Sequence, residues 1–177
     1  MNTFDVIVIG SGPGGYVAAI RCAQLGMNTA IIEKYSKLGG TCLNVGCIPS
    51  KALLESSELF SKSNHEFKTH GINISSLEMD LSQTMKRKTK IVEEMHKGLN
   101  FLMKKNKITT FHGIGSFVDN TTVSINTGGK SINITGKNII IATGSKPFSL
   151  PFFNLDKKRI ITSTEALSLK EIPKKMI

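Results

Sequence analysis

An α/β fold is predicted, a parallel sheet built on a βαβ unit with an antiparallel β-meander inserted in it. Three observations in the 177 residues carry this prediction. A short apolar stretch near the amino terminus runs directly into a cluster of glycines. A second apolar stretch, closed by an acid, follows roughly twenty residues later. Four short stretches of strand composition then precede a third buried strand over residues 138–142.

Phe4-Asp5-Val6-Ile7-Val8-Ile9 is short, apolar and rich in β-branched residues, the pattern of a strand buried on both faces. It leads into Gly10-Ser11-Gly12-Pro13-Gly14-Gly15, in which Gly10, Gly12 and Gly15 keep a G-x-G-x-x-G spacing. The first glycine permits a tight turn, the second lets a pyrophosphate approach the backbone, and the third lets helix and strand pack closely. A helix is predicted over residues 13–25, with Gly26 as its stop signal. Its amino-terminal N–H groups and dipole favour phosphate charge. The next strand, over residues 29–32, ends in Glu33, where a carboxylate can accept hydrogen bonds from a ribose diol. A glycine cluster alone is a weak signal. With a strand before it, a helix after it and an acid at the right distance, it predicts a Rossmann-like dinucleotide-binding unit.

The run Gly39-Gly40-Thr41-Cys42-Leu43-Asn44-Val45-Gly46-Cys47-Ile48-Pro49-Ser50-Lys51 places two cysteines five positions apart. In a regular helix that spacing advances the chain by roughly 7.5 Å. Cysteines with Cα atoms more than about 7 Å apart cannot be bridged without backbone movement. Any bridge here therefore needs a distorted turn, for which Gly46 supplies the freedom, and Pro49 suits the first turn of a following helix. Cys42 is expected on a loop or irregular turn, and Cys47 at the start of a helix running over residues 50–63, where a thiolate is favoured. Beside the nucleotide motif, the pair reads as a redox-active dithiol serving a flavin. Other readings stand next to it. A zinc site needs about four ligands, whereas the remaining candidates are Cys22 and the scattered His65, His70, His96 and His112, so no metal site is predicted. A structural crosslink over so short a loop constrains little of the unfolded chain. Two unrelated buried cysteines stay open on the residues alone. Cys22 reads as a small core residue of the first helix.

The remainder is legible in outline. Residues 64–80 read as a polar loop and residues 81–104 as a helix. Short strands are expected over residues 108–112, 115–118, 122–126 and 131–135, with Gly128-Gly129 turning a hairpin between the last two. These form the predicted meander. Thr143-Gly144 ends the central strand over residues 138–142, and Pro147 and Pro151 punctuate a linker. Thr162-x-x-Glu165 reads as a capping box for a short helix. The domain division expected is residues 1–150 as the nucleotide-binding domain and residues 151–177 as a linker with a short helix.

Composition excludes some classes. Hydrophobic residues make up 40% of the chain, and no run is long and apolar enough to span a membrane. The first strand begins almost at Met1, which leaves no room for a leader, and three cysteines suit a reducing compartment. A cytoplasmic location follows as the expectation. The net charge of +10 concentrates between residues 85 and 107, in Lys86, Arg87, Lys88, Lys90, Lys97, Lys104, Lys105 and Lys107. Ile91, Met95, Leu99 and Leu102 recur among them at helical spacing, so the stretch reads as a helix packed by one face with its lysines in water. Lysine predominates over the arginine that base reading favours. Neither nucleic acid nor membrane is expected as a partner.

The glycine motif, the Cys42-x4-Cys47 run and Ala142-Thr143-Gly144-Ser145 resemble the disulfide-containing flavoprotein reductases, the pyridine nucleotide-disulfide oxidoreductases of class I. Within that family the similarity is greatest to the dihydrolipoyl dehydrogenases, whose run G-G-T-C-L-N-V-G-C-I-P-S-K-A-L-L stands unchanged from Gly39 to Leu54. Glutathione reductases usually carry lysine at the place of Ser50, and mercuric reductases commonly carry valine at the places of Leu43 and Ile48. The resemblance implies FAD as cofactor and a redox disulfide of Cys42 with Cys47. Cys42 would exchange with the lipoyl disulfide and Cys47 would face the flavin as the charge-transfer thiolate. Lys51 would lie near the reactive part of the isoalloxazine, and Glu33 would hold the adenosine ribose. Gly10, Gly12, Pro13, Gly14 and Gly15 would cradle the pyrophosphate, and Lys34, Gly40, Thr41, Gly115, Thr143, Gly144 and Ser145 would touch the cofactor. Read without the resemblance, Lys34 and Lys51 are solvated lysines.

The implied activity is oxidation of dihydrolipoamide carried on lipoyl domains of 2-oxo-acid dehydrogenase complexes, with electrons passing through the disulfide and FAD to NAD in a homodimer. The family's second glycine motif, for NAD, and its histidine–glutamate pair match nothing in this sequence. The expectation is therefore the amino-terminal, FAD-binding portion, incomplete relative to the family fold and without full turnover. The alternatives are another reductase of this family, of the glutathione or mercuric type, and a catalytically inert structural fragment that holds no FAD.

Overall fold

The strands β1 (Asn2–Ile9), β2 (Thr29–Glu33), β3 (Thr109–His112), β4 (Ile114–Phe117), β5 (Thr122–Thr127) and β6 (Lys130–Ile141) join in one sheet. Its order is β3-β2-β1-β6-β5-β4 in the computed structural model, which describes residues 2–148, 150–152 and 154–177. Met1, Ser149 and Phe153, which fall within the expected domain and linker, lie outside the described residues. The chain divides into two compact units, Met1–Asn44 with Glu94–Lys146, and Val45–Glu93 with Pro147–Ile177.

The first unit holds the sheet. β1 pairs in parallel with β2 and β6, and β2 pairs in parallel with β3, which gives a four-stranded parallel core. Such strands are covered on both faces, and Ile7, Val8, Ala30 and Ile31 are all fully buried. The backbone N–H groups of Asp5 and Val6 both donate to Asn28 O, at 2.8 and 3.3 Å. Phe4 joins Ile7 and Ile9 in one core cluster with Ala30, Ile32, Val123, Ile125 and Ile134. Phe4 also meets Phe111 edge to face, with ring centroids 6.0 Å apart. The helix α1 (Pro13–Gln24) packs on β1 and β2, and Gly15 and Ala19 are buried there.

The predicted α/β class with a meander is what forms, with two differences in detail. The expected strands over residues 131–135 and 138–142 are one continuous strand. β6 pairs antiparallel with β5 through its first half and parallel with β1 from Ile134 to Ile141. Gly136 sits at the change of partner, and a Cβ there would lie 2.7 Å from Ile7 Cδ1, so glycine makes room for the core rather than ending the strand. The expected first strand of the meander, now β3, instead extends the parallel set as the partner of β2, leaving β4, β5 and β6 as the meander. The Gly128-Gly129 hairpin forms as expected, with φ of +60° and +99° and Thr127 opposite Lys130. Positive φ at both loop positions is what a two-residue turn of this hand requires.

The short helix α2 (Gly40–Val45) follows the first βαβ unit and α3 (Cys47–His65) follows it after Gly46. A 3-10 turn at Phe67–His70 interrupts the segment expected to be loop throughout. The long α4 (Leu81–Lys105) carries the basic stretch, with His96, Leu99 and Met103 buried. In the second unit, Arg87 Nη1 of α4 donates to Ala52 O at 2.8 Å and Ser56 Oγ at 3.3 Å, while its Nη2 pairs with Glu55. The helix α5 (Ser163–Ala166) opens with the predicted capping box. Thr164 N donates to Thr162 Oγ1 at 3.2 Å, and Thr162 N donates to Glu165 Oε2 at 2.8 Å. Cys22 is half-buried on α1 with a free thiol, less enclosed than a core residue.

Asp5 ties the edges of β1 together. Its Oδ1 accepts from Lys137 Nζ and its Oδ2 from Asn28 N, each at 2.8 Å. The Lys137 hydrogen bond first, and the Asn28 N–H second, hold this carboxyl below the usual aspartate range. A depressed folded pKa means that the contribution to stability is complete above the unfolded aspartate value and disappears as pH falls through the folded one. Asp5→Asn is therefore expected to lower the melting temperature at pH 7, with the difference from wild type shrinking on acidification. Melting curves across that pH range check it, and a constant difference contradicts it.

Candidate functional site

The glycine turn forms because three backbone segments meet there at distances no side chain allows. Gly10 has φ +101°, and a Cβ on it would lie 2.2 Å from Ala142 O and 3.2 Å from Thr143 Cα. A Cβ on Gly15 would lie 1.9 Å from Gly10 O. Gly10 N donates to Ile32 O and Ala142 N to Ile9 O, both at 2.8 Å, so the ends of β1, β2 and β6 are stitched around the turn. Gly10 and Gly15 thus serve packing. Gly12 and Gly14 differ. A Cβ on Gly12 would meet only Gly40 Cα, at 3.9 Å, and one on Gly14 would meet nothing within 4 Å. Gly12 is the N-cap of α1 and makes no side-chain capping bond, with Pro13 and Gly14 exposed beside it. An open, uncapped helix start with no Cβ over it fits an anionic phosphate.

Glu33 closes β2 and is buried, at 4% exposure. Its Oε2 accepts from Ser11 N at 3.1 Å and from Ser11 Oγ, and its Oε1 accepts from Tyr35 N at 3.0 Å. An ionised carboxylate offers about four acceptor positions, so these bonds orient the group and leave room for a hydroxyl donor. Ser11 reaches the dithiol loop as well. Gly39 N donates to Ser11 O at 2.9 Å, and Ser11 Oγ lies 3.2 Å from the same N–H. Gly40, at φ +59°, could carry no side chain, because a Cβ would lie 2.6 Å from Gly12 Cα. Glycine motif, acid and the loop from Gly39 to Asn44 are one construction in the first unit.

The dithiol loop differs from the expectation at Cys42, which lies within α2 rather than on an irregular turn, half-buried, with Thr41 exposed beside it. The break needed for the bridge comes at Gly46, whose φ of −144° and ψ of −116° separate α2 from α3. Cys42 and Cys47 are both disulfide-bonded. Cys47 is exposed as the first residue of α3, and Lys51 follows one helical turn later, exposed on the same face.

The remaining predicted positions lie as follows. Lys34 is exposed, its Nζ 5.0 Å from the centroid of the Tyr35 ring. Gly115 lies on β4 against the core, where a Cβ would touch Ile9 and Ile32 at 3.4 Å. Thr143, Gly144 and Ser145 follow β6 exposed, with Gly144 at φ +69°. No group of His, Cys, Asp or Glu suited to a metal is present among the described residues. A groove of about 570 Å³ in the second unit, lined by Leu81, Met85, Lys86, Lys90, Glu93 and Lys170 among others, shares no residue with the site.

Sequence reasoning passed over Ser11, Asn44 and His96. Ser11 had a signal, as a small polar residue between two glycines that must itself be buried. Asn44 Nδ2 donates to Leu38 O at 3.1 Å and Gly40 O at 2.8 Å, and His96 Nε2 lies 2.9 Å from Asn44 Oδ1.

Against this geometry, the family described as pyridine nucleotide-disulphide oxidoreductase matches residues 4–177. A leghemoglobin reductase of Vigna unguiculata is 54% identical over 98% of this chain and 33% of its own length. A mitochondrial dihydrolipoyl dehydrogenase of Pisum sativum is 52% identical over 98% of this chain and 35% of its own. One from Arabidopsis thaliana is 53% identical over 98% and 34%. Among solved structures, the HOCl-induced flavoprotein disulfide reductase of Escherichia coli in its Cu(II) complex superposes with a TM-score of 0.81 at 26% identity, over 98% of this chain and 36% of that one. The chain spans about a third of the length of the curated relatives it matches.

The glycines give a direct check. Gly15→Ala is expected to cost about 3 kcal/mol or more, at the upper end of overpacking, because its Cβ meets backbone. Gly12→Ala is expected to change stability by less than about 1 kcal/mol while removing retention of FAD. Urea unfolding and the visible flavin band after gel filtration measure both.

Proposed function

The chain belongs to the pyridine nucleotide-disulphide oxidoreductase family, and from that premise we propose that it is the FAD-binding, disulfide-bearing portion of a dihydrolipoyl dehydrogenase. The observation that carries this reading is the disulfide-bonded state of Cys42 and Cys47 within a run bonded to the glycine motif through Ser11. Residues 1–150 form the cofactor domain in this reading, and residues 151–177 the linker with a short helix.

FAD, when bound, supplies a two-electron acceptor for the dithiol. Gly12, Pro13 and Gly14 offer its pyrophosphate the start of α1, and Gly10 and Gly15 keep that start in place. Glu33, oriented by Ser11 and Tyr35, would accept from a ribose hydroxyl. Lys34, Gly40, Thr41, Gly115, Thr143, Gly144 and Ser145 would border the cofactor.

The thiol chemistry balances within the chain. A dihydrolipoamide thiolate attacks Cys42 Sγ, the Cys42–Cys47 bond breaks, and Cys47 leaves as a thiolate. The second lipoyl thiolate then attacks its partner sulfur in the mixed disulfide and releases Cys42. Lipoamide is oxidised by two electrons and the cysteine pair is reduced by two. Placement of Cys47 at the first residue of α3, with Lys51 one turn on, favours its anionic form. NAD is the final acceptor and lipoyl domains of 2-oxo-acid dehydrogenase complexes the substrate carriers, in a homodimer. No NAD reduction is expected of this chain by itself.

No helix among the described residues is long and apolar enough to cross a membrane. The location proposed is cytoplasmic. The pea and Arabidopsis relatives are named as mitochondrial, and cell fractionation decides between the two compartments.

A second reading, another disulfide reductase of the same family, is favoured by the likeness to the Escherichia coli flavoprotein disulfide reductase. The test is stoichiometric. Purified chain loaded with FAD is expected to keep a visible flavin band, and one equivalent of dihydrolipoamide is expected to convert the Cys42–Cys47 bond into two protein thiols, read by alkylation and mass shift, as its own two thiols become the lipoamide disulfide, with no NADH formed when NAD is added. A colourless chain supports an inert structural piece. A Cys42–Cys47 dithiol that glutathione disulfide or a metal ion re-oxidises, but that dihydrolipoamide does not form, supports the second reading.

A further inference from the structure

Among the polar groups that the thiol chemistry leaves unused, His96 bonds the dithiol loop from a distant helix. It is 7% exposed on α4, and its Nε2 bonds Asn44 Oδ1 at 2.9 Å across 52 residues of sequence. Asn44 lies two residues after Cys42 and three before Cys47. Both protons of its amide nitrogen are committed, to Leu38 O and Gly40 O. The amide orientation is thereby fixed, its oxygen must accept, and the His96 ring must present an N–H at Nε2. The two carbonyls that Asn44 grips flank Gly39, the residue Ser11 holds, and Gly40 begins the helix that carries Cys42. A ring on a distant helix thus sets the amide that clamps the approach to α2.

We propose that His96 is a positioning residue for the redox disulfide: acting through Asn44, it holds α2 and Cys42 in place and so sets the equilibrium between disulfide and dithiol. This rests on the reading of Cys42 and Cys47 as a redox pair. The physical link is effective concentration. A clamped α2 keeps Cys42 Sγ within reach of its partner after reduction, which favours reclosure; a loosened α2 favours the open dithiol. The exchange is balanced with dithiothreitol. Its two thiols become one cyclic disulfide, the Cys42–Cys47 bond opens to two thiols, and two electrons and two protons pass to the protein.

The test is the equilibrium of the purified chain with reduced and oxidised dithiothreitol, read by thiol alkylation and mass shift, for wild type, His96→Leu, His96→Asn and His96→Gln. Leucine removes the donor at similar volume, asparagine is too short to reach, and glutamine keeps an N–H at comparable reach. His96→Leu and His96→Asn are expected to shift the equilibrium about tenfold toward the dithiol, or about 30 mV for this two-electron couple. His96→Gln is expected to stay within about threefold of wild type. Urea midpoints of the oxidised and reduced forms accompany each measurement. A purely structural histidine would lower both midpoints equally and leave the exchange equilibrium unmoved, and that result overturns the proposal. If the leucine variant does not fold, the asparagine and glutamine variants decide. A wild-type disulfide that dithiothreitol does not open reversibly overturns the redox reading itself, a result distinct from a reversible disulfide indifferent to His96.

Discussion

Backbone crowding at the glycine turn is the constraint on which the first unit depends. The end of β1, the start of α1 and the end of β6 converge so closely that the carbonyls of Gly10 and Ala142 occupy the space of two missing side chains. The two parallel pairings of β1 require this convergence, because β2 and β6 can flank β1 to its last residue only if the chain turns at once into α1. The turn therefore joins sheet formation to the exposed helix start. The same six-residue motif places two glycines where bulk would break the fold and two where the helix start stays open.

Ser11 extends this construction outward. One buried serine orients the carboxylate of Glu33 and receives the N–H of Gly39, so the loop leading to Cys42 is referenced to the same turn that would hold a phosphate. A flavin bridging these groups would meet them already ordered, which lowers the conformational cost of binding. From the other side, Asn44 and His96 secure the loop to α4, whose remaining surface carries lysines. The basic stretch thereby combines two roles in one helix, a buried seam of His96, Leu99 and Met103 and a strongly charged exterior.

Much of this was legible in the residues because it is local. The glycine spacing, the Gly128-Gly129 hairpin and the Thr162–Glu165 capping box each declare their geometry within six residues, and each forms. What escaped depends on partners distant in sequence. Gly136-Lys137 looks like an interruption between strands, yet Gly136 yields its volume to Ile7 and Lys137 reaches Asp5, so the strand continues. Period and composition mark residues 108–112 as a strand but carry no information about its neighbour, and β3 joins β2 instead of the meander. Spacing points to irregular backbone at Cys42 because a bridge needs a break, but the break falls one residue before Cys47 and leaves Cys42 helical. The Asn44–His96 bond leaves no trace in either local pattern.

The double pairing of β6 has a kinetic consequence. Its first half closes on β5 through a two-residue loop, a contact with almost no entropy of closure, whereas its second half must find β1 some 130 positions earlier in the chain. The hairpin can therefore assemble first and offer its far end as a preformed edge. The slow, long-range step of folding then becomes the docking of one short amino-terminal strand onto an existing template, which orders the path along which the glycine turn is made.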